Sequence, residues 1–283
     1  MAAPPAAAVA AARPPIPTNP PLVRRLLTAF IANEVRKVGV ERVVVGLSGG
    51  VDSAVSAMLA AEALGPANVL AIKMPYRTSS PESLEHAQLV LEATGARAAT
   101  IEISEPIDRY VERYEPDITP RRKGNLMART RAVILFDQSA RLEALPLGTG
   151  NKSERLLGYF TWHADDSPPI NPLGDLFKSQ VWALARHLGI PDVIVDKPAT
   201  ADLVRGVNDE DELGVSYHEA DPILDGLVRG YGSQELVRMG FRKEAVDLVR
   251  HRLQATHWKR ELPSVAMLSS SAIGAFYLRP VDY

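Results

Sequence analysis

The chain has 283 residues, room for one large domain or two small ones, and 46% of them are apolar, which supports a sizeable core. A formal net charge of −2 gives no general attraction to nucleic acid or to an anionic membrane. The absence of cysteine excludes disulfides, thiolate metal sites and a cysteine nucleophile.

Residues 1–21 are rich in Ala and Pro. The apolar stretch Ala6–Ala12 has no Lys or Arg ahead of it and is flanked by prolines, so it reads as a disordered tail rather than a signal peptide. No apolar run approaches the length of a membrane span, and the expected location is cytoplasmic. A single domain over 22–283 is expected, beginning near Pro21. From Leu22 the apolar spacing Leu26/Leu27, Phe30/Ile31, Val35, Val38 predicts a helix. Arg42–Leu47 is a short β-branched run, the mark of a buried parallel strand. A glycine-rich loop follows, then a helix over Ala54–Leu64 ended by Gly65-Pro66.

The alternation continues with a strand at Val69–Met74, a helix at Pro81–Thr94 and a strand at Ala98–Ile103. A long helix is expected over Asn125–Leu145, a short strand over Pro146–Thr149, and helices at Lys178–Leu188, Glu235–Met239 and Arg242–Ala255. Such alternation predicts an α/β fold, a Rossmann-like open parallel sheet flanked by helices. The Pro-rich stretch Asp165–Pro172 reads as a loop of the kind that carries function.

The string Ser48-Gly49-Gly50-Val51-Asp52-Ser53, between a buried strand and a helix, has a physical use. Glycines let the backbone close on a phosphate, and the N–H groups at the helix start point at it from the positive end of the macrodipole. Asp52 repels phosphates unless a cation lies between, which implies Mg2+ held by carboxylate, phosphate oxygens and water. A turn with Ser and Asp caps is the alternative for such a string. A Walker-type loop is excluded, since no Gly-Lys-Ser/Thr follows the glycines.

Gly46-Leu47-Ser48-Gly49-Gly50-Val51-Asp52-Ser53 resembles the signature of the N-type ATP pyrophosphatases. Those enzymes split ATP between the α and β phosphates, adenylate an acceptor, and let a nucleophile displace AMP. The segments Gly148–Glu154, Gly158–Thr161, Ile170–Leu173, Lys197–Leu203, Asp209–Gly214 and Lys259-Arg260 resemble, in order and spacing, the NAD synthetases of that superfamily. The resemblance covers nearly all of 22–263 and implies an ATP- and Mg2+-dependent ligase. Its substrates are ATP, ammonia and deamido-NAD, and its products NAD, AMP and pyrophosphate, formed through an acyl adenylate. Free ammonia, or ammonia from a separate partner, is the expected nucleophile source, because a fused glutaminase needs a cysteine and none is present.

The resemblance also carries roles. Asp52 and Glu154 match magnesium-binding carboxylates; Thr149, Lys178 and Thr200 match ATP-contacting residues, with Asp52 and Lys178 central to catalysis. Glu154 equally suits the first turn of a helix after Ser153, and Lys178 opens a helix whose start disfavours a cation, so an anionic ligand is expected beside it. Arg129 and Lys259 match residues that contact deamido-NAD. At three acceptor positions the chain departs from the family pattern: Trp162 stands for a lysine, Pro169 for an aspartate and Trp258 for a histidine. Aromatic faces at 162 and 258 suit an electron-poor pyridinium ring. The alternatives are a carboxylate–ammonia ligase of the same fold on another acceptor, or a tRNA-modifying adenylating enzyme, which the charge and the missing cysteine oppose. A homodimer is implied by the resemblance alone, and no nucleic-acid or membrane partner is expected.

Overall fold

The computed structural model describes residues 16–200, 208–261 and 264–268. Most of the expected tail therefore lies outside the described residues; Ile16 packs on apolar groups and the Pro17 carbonyl accepts from Gln180 Nε2 at 3.2 Å. Helix α1, Pro20–Lys37, starts where Asn19 Oδ1 accepts the Leu22 N–H at 3.2 Å, with Arg36 and Lys37 in its last turn. Strand β1 (Arg42–Gly46) leads to α2 (Val51–Leu64), and β2 (Val69–Lys73) to α3 (Pro81–Thr94). Then come β3 (Arg97–Thr100), α4 (Ser104–Tyr114), α5 (Pro120–Leu142) and β4 (Ala144–Leu147).

The four strands are parallel in the order β3-β2-β1-β4, with Val44 opposite Leu70 on one side and Pro146 on the other. Alternation sorts their side chains. Val43, Val45, Val69 and Ala71 face a core with α1 and α2, while Val44, Leu70 and Ile72 face one with Ile103, Ile107 and Met127 from α4, α5 and the segment before them. Strand order reverses between β1 and β4, so the crevice for a ligand opens beyond the C-terminal ends of those two strands.

Several boundaries differ from the sequence reading. Helix α5 begins at Pro120 rather than Asn125, because Thr119 caps it and proline fits the first helical position. It ends at Leu142, where Glu143 takes a left-handed turn (φ 51°), so β4 starts at Ala144 rather than Pro146. Pro146 is tolerated inside β4 because β4 is an edge strand. The ladder of β3 closes at Thr100, though Ile101 N–H still donates to Lys73 O at 2.9 Å.

The second half is helical: α6 (Lys152–Leu157), α7 (Lys178–His187), α8 (Asp192–Val195), α9 (Asp209–Leu213), α10 (Tyr217–Val228), α11 (Ser233–Arg238) and α12 (Lys243–Ala255). A second core of Leu157, Phe177, Tyr217, Leu224, Leu236 and Val246 joins them beside the sheet. Within 165–172, Ile170 makes a parallel bridge to Leu147, and Asn171 Nδ2 donates to Gly150 O at 2.8 Å. No helix among the described residues is long and apolar enough to cross a membrane.

Candidate active site

The loop after β1 is held by its own hydroxyls. Gly50 N–H donates to Ser48 Oγ at 3.3 Å, Ser53 Oγ donates to Gly50 O at 2.9 Å, and the two hydroxyl oxygens lie 3.1 Å apart. Gly49 adopts φ 82° and lies against α3 so closely that a Cβ there would sit 2.0 Å from the Ser83 carbonyl oxygen. Only glycine meets both conditions. Across the crevice Ser56 Oγ donates to Gly148 O at 3.3 Å, which ties the start of α2 to the end of β4.

At the foot of this loop three charged side chains meet. Lys178 Nζ donates to Asp52 Oδ2, and Glu154 Oε1 lies 3.7 Å from the same nitrogen. Asn151, fully buried, joins the carboxylates: its Nδ2 donates to Asp52 Oδ1 at 3.0 Å and its Oδ1 accepts the Glu154 N–H at 2.9 Å. Glu154 Oε2 in turn accepts the Asn151 N–H at 3.1 Å, completing a capping box at the start of α6. Glu154 thus does two things at once: one oxygen caps the helix, and the other faces Lys178. The negative groups beside Lys178 in this structure are the side chains of Asp52 and Glu154.

The electrostatics are those of a site short of positive charge. Burial, with the neighbouring Asp52 charge, pushes the Glu154 carboxyl up to about 8. Burial opposes the Lys178 ammonium, but Asp52 and Glu154 outweigh it and raise its pKa. Asp209, at the start of α9, is raised by burial and then by Asp52, and its Oδ1 is buried with no hydrogen-bond partner. Tyr217 Oη lies 3.4 Å from Asp209 Oδ2. Asp52 and Glu154 fit a magnesium ion that takes one or two carboxylates and completes its shell with phosphate oxygens and water. No cluster of three or more candidate ligands of the kind an all-protein metal cage needs occurs among the described residues.

The cleft has a volume of about 290 Å³. Gly46, Leu47, Ser48, Gly50, Val51, Asp52, Ser53, Thr149, Glu154, Lys178 and Thr200 all line it, so every residue expected on the ATP side except Gly49 faces this space; Gly49 is turned against Ser83. Residues 201–207 of the segment that carries Thr200 lie outside the described residues. Tyr159, Phe160, Arg131, Asp166, Lys197 and Asp209 also line the cleft; Tyr159, Phe160, Lys197 and Asp209 fall in the segments that carry the resemblance, though it gives them no role, and nothing local marks Arg131.

The residues expected on the acceptor side gather beside the cleft rather than in its lining. Trp162 and Trp258 meet edge to face at 5.1 Å, His163 lies 3.9 Å from the Trp162 ring, and Arg129 Nε donates to Trp162 O at 3.2 Å. Lys259 Nζ donates to Gly158 O at 2.7 Å and to Phe160 O, and covers the Phe160 ring at 4.1 Å. Burial lowers its pKa. Pro169 is exposed and lines nothing in the cleft.

The chain matches the family model for NAD synthase over residues 23–263. It is 47% identical over 256 residues to an NH(3)-dependent NAD(+) synthetase of Trichlorobacter lovleyi, covering 90% of this chain and 93% of that protein. It is 46% identical over 254 residues to the enzyme of that name from Chlorobaculum parvum, covering 89% and 91%. An NH3-dependent NAD synthetase of Campylobacter jejuni superposes with a TM-score of 0.76 at 31% identity, covering 88% of this chain and 100% of the other. An NMN synthetase of Francisella tularensis gives 0.79 at 29%, covering 88% and 99%.

Proposed function

The chain belongs to the NAD synthase family, and we propose that its cleft makes NAD from deamido-NAD, ATP and ammonia through the Asp52–Lys178–Glu154 cluster. The nicotinate carboxylate attacks the α-phosphorus of ATP and pyrophosphate leaves; ammonia then attacks the acyl carbon and AMP leaves. The observation that carries the assignment is the meeting of Asp52, Glu154 and Lys178 directly under the Ser48–Ser53 loop, at the reversal of strand order.

The residues divide the work. The N–H groups and hydroxyls of Ser48–Ser53 hold the leaving pyrophosphate. Asp52 and Glu154 would hold magnesium, whose positive charge would offset the negative charge of the phosphates. Lys178 pairs with Asp52 and lies beside Glu154, and its ammonium would supply positive charge to the phosphate oxygens. Thr149 and Thr200 orient ATP from the facing wall. Arg129, Trp162, Trp258 and Lys259 bound the acceptor side, with the tryptophans offered to the pyridinium ring. Pro169, exposed and away from the cleft lining, takes no direct part.

Ammonia arrives free in this reading, and the enzyme works in the cytoplasm as a homodimer. Tyr110 and Tyr114 of α4 and Val133 and Phe136 of α5 are exposed apolar side chains that pairing could cover. Light scattering of the purified chain tests the dimer. Asp52→Ala tests the cluster: AMP formation should vanish with the fold retained, and full activity would remove Asp52 from the site.

A further inference from the structure

Glu154 and Lys178 come from two different helices, and their meeting at Asp52 depends on how those helices start. Helix α7 starts badly on its own. Its N-cap is Phe177, which offers no side-chain acceptor, and its first residue is the cation Lys178. Both features run against what a helix N-terminus favours.

The missing acceptors come from elsewhere. Ser153 Oγ accepts the Lys178 N–H at 2.9 Å, and Asp221 Oδ2 on α10 accepts the Ser179 N–H at 2.8 Å. Ser153 Oγ donates to Asp221 Oδ1 at 2.5 Å. Asp221 is fully buried, and burial raises its carboxyl above the usual range. A buried carboxylate is costly unless well bonded, so an apolar residue would be the simpler filler for this core position. Its two oxygens instead grip the residue before Glu154 and the residue after Lys178. A single side chain thus sets α6 against α7 next to the site without touching it.

We propose that Asp221 is a positioning residue, which fixes α6 and α7 in the relative register that brings Glu154 Oε1 and Lys178 Nζ together at Asp52. This rests on the roles given above to Glu154 and Lys178. The misplacement of a reacting group by about 1 Å can cost on the order of a hundredfold in rate. Asp221→Asn keeps the shape and one acceptor oxygen, but either sets an N–H group against the Ser179 amide or leaves the Ser153 hydroxyl proton without its acceptor.

The test is steady-state kinetics of purified Asp221→Asn, Ser153→Ala and the double variant, with Leu224→Ala as control. Leu224 is fully buried on the same helix and has no part in the chemistry. The expected result for Asp221→Asn is a kcat at least about tenfold lower, with the KM for deamido-NAD within about twofold. Ser153→Ala should lose kcat in the same sense, and the double variant should be no worse than Asp221→Asn alone, because the two act as one unit. Leu224→Ala should melt lower yet keep its kcat well below the melting temperature.

A normal kcat in Asp221→Asn with only a lowered melting temperature overturns the proposal, as do losses from the two sites that simply multiply. If Asp221→Asn does not fold, Ser153→Ala decides: an unchanged kcat overturns the proposal and a lowered one supports it. Glu154→Gln separates the two levels. An active Glu154→Gln defeats the role given to Glu154 and the positioning proposal with it, whereas an inactive Glu154→Gln beside a fully active Asp221→Asn defeats only the positioning role.

Discussion

Gly49→Ala perturbs the pyrophosphate loop at its tightest point. The new Cβ would sit 2.0 Å from the Ser83 carbonyl oxygen, whereas carbon and oxygen in ordinary contact stay about 3.3 Å apart. The loop or the start of α3 must therefore yield by roughly 1 Å. The side chain must also sit at φ 82°, which costs roughly 1–2 kcal/mol for an L-residue. The strain lowers stability, and the displacement moves the N–H groups that hold the pyrophosphate, for which a loss of about a hundredfold in kcat/KM for ATP is expected. Gly39→Ala is the control, since Gly39 has φ 78° and a methyl group there would meet nothing within 4 Å. It should show the stability loss without the kinetic one. The assay is pyrophosphate release at varied ATP with saturating magnesium and deamido-NAD, alongside thermal melting of both variants. If Gly49→Ala keeps kcat/KM for ATP within about threefold of the parent, the loop does not hold ATP as described.

Lys178→Met should lower kcat by two to three orders of magnitude, on the order of 10²–10³, because a buried cation beside developing phosphate charge is lost; a kcat within about tenfold would return Lys178 to a packing role. Glu154 gives a pH prediction for the metal-free protein. Its folded pKa of about 8 lies above its unfolded value, so the folded state binds the extra proton and stability from this group is lost as pH rises toward 8. Glu154→Gln should therefore melt roughly a few degrees higher than the parent at pH 8 without magnesium, and the gap should shrink near pH 5. A lower melting point for the variant at pH 8 would contradict the electrostatic account. Trp162→Ala should raise the KM for deamido-NAD about threefold to tenfold with kcat little changed, read from NAD formation; an unchanged KM assigns the ring to packing against Trp258.

The parts of this molecule legible in sequence were those with local physical signatures. The run Arg42–Leu47 could only be a buried strand, and the Gly-Gly-X-Asp-Ser loop after it has one economical use. Helix α10 was hidden by Pro222, although Tyr217, Ala220, Ile223 and Leu224 carry a helical stripe; proline ordinarily ends such a run, and here the surrounding core holds it. Helix α4 was missed because its buried face is narrow, with Ser104 and Ile107 its only buried residues. Glu154, placed after Ser153 at a helix start by the sequence, stands in the first turn of α6, where the Asn151–Glu154 capping box also holds it. That Asn151 also reaches Asp52, across a sequence gap of 99 residues, is a property of sheet order. Asp221 could not be told from a surface acid, and nothing in the sequence placed Asp209 beside Asp52 and Lys178, since burial comes from the packing of α9 and α10 rather than from neighbours in sequence.

The central claim is that this cleft adenylates the carboxylate of deamido-NAD and passes the acyl group to ammonia. The most direct measurement incubates the purified protein with ATP, magnesium and ammonium, in parallel with deamido-NAD, with nicotinate mononucleotide and with no acceptor, and quantifies AMP and amidated product. The account predicts AMP and NAD in equal amounts only where deamido-NAD is present. AMP release that ignores deamido-NAD, or amidation of the mononucleotide in preference to it, would contradict the account.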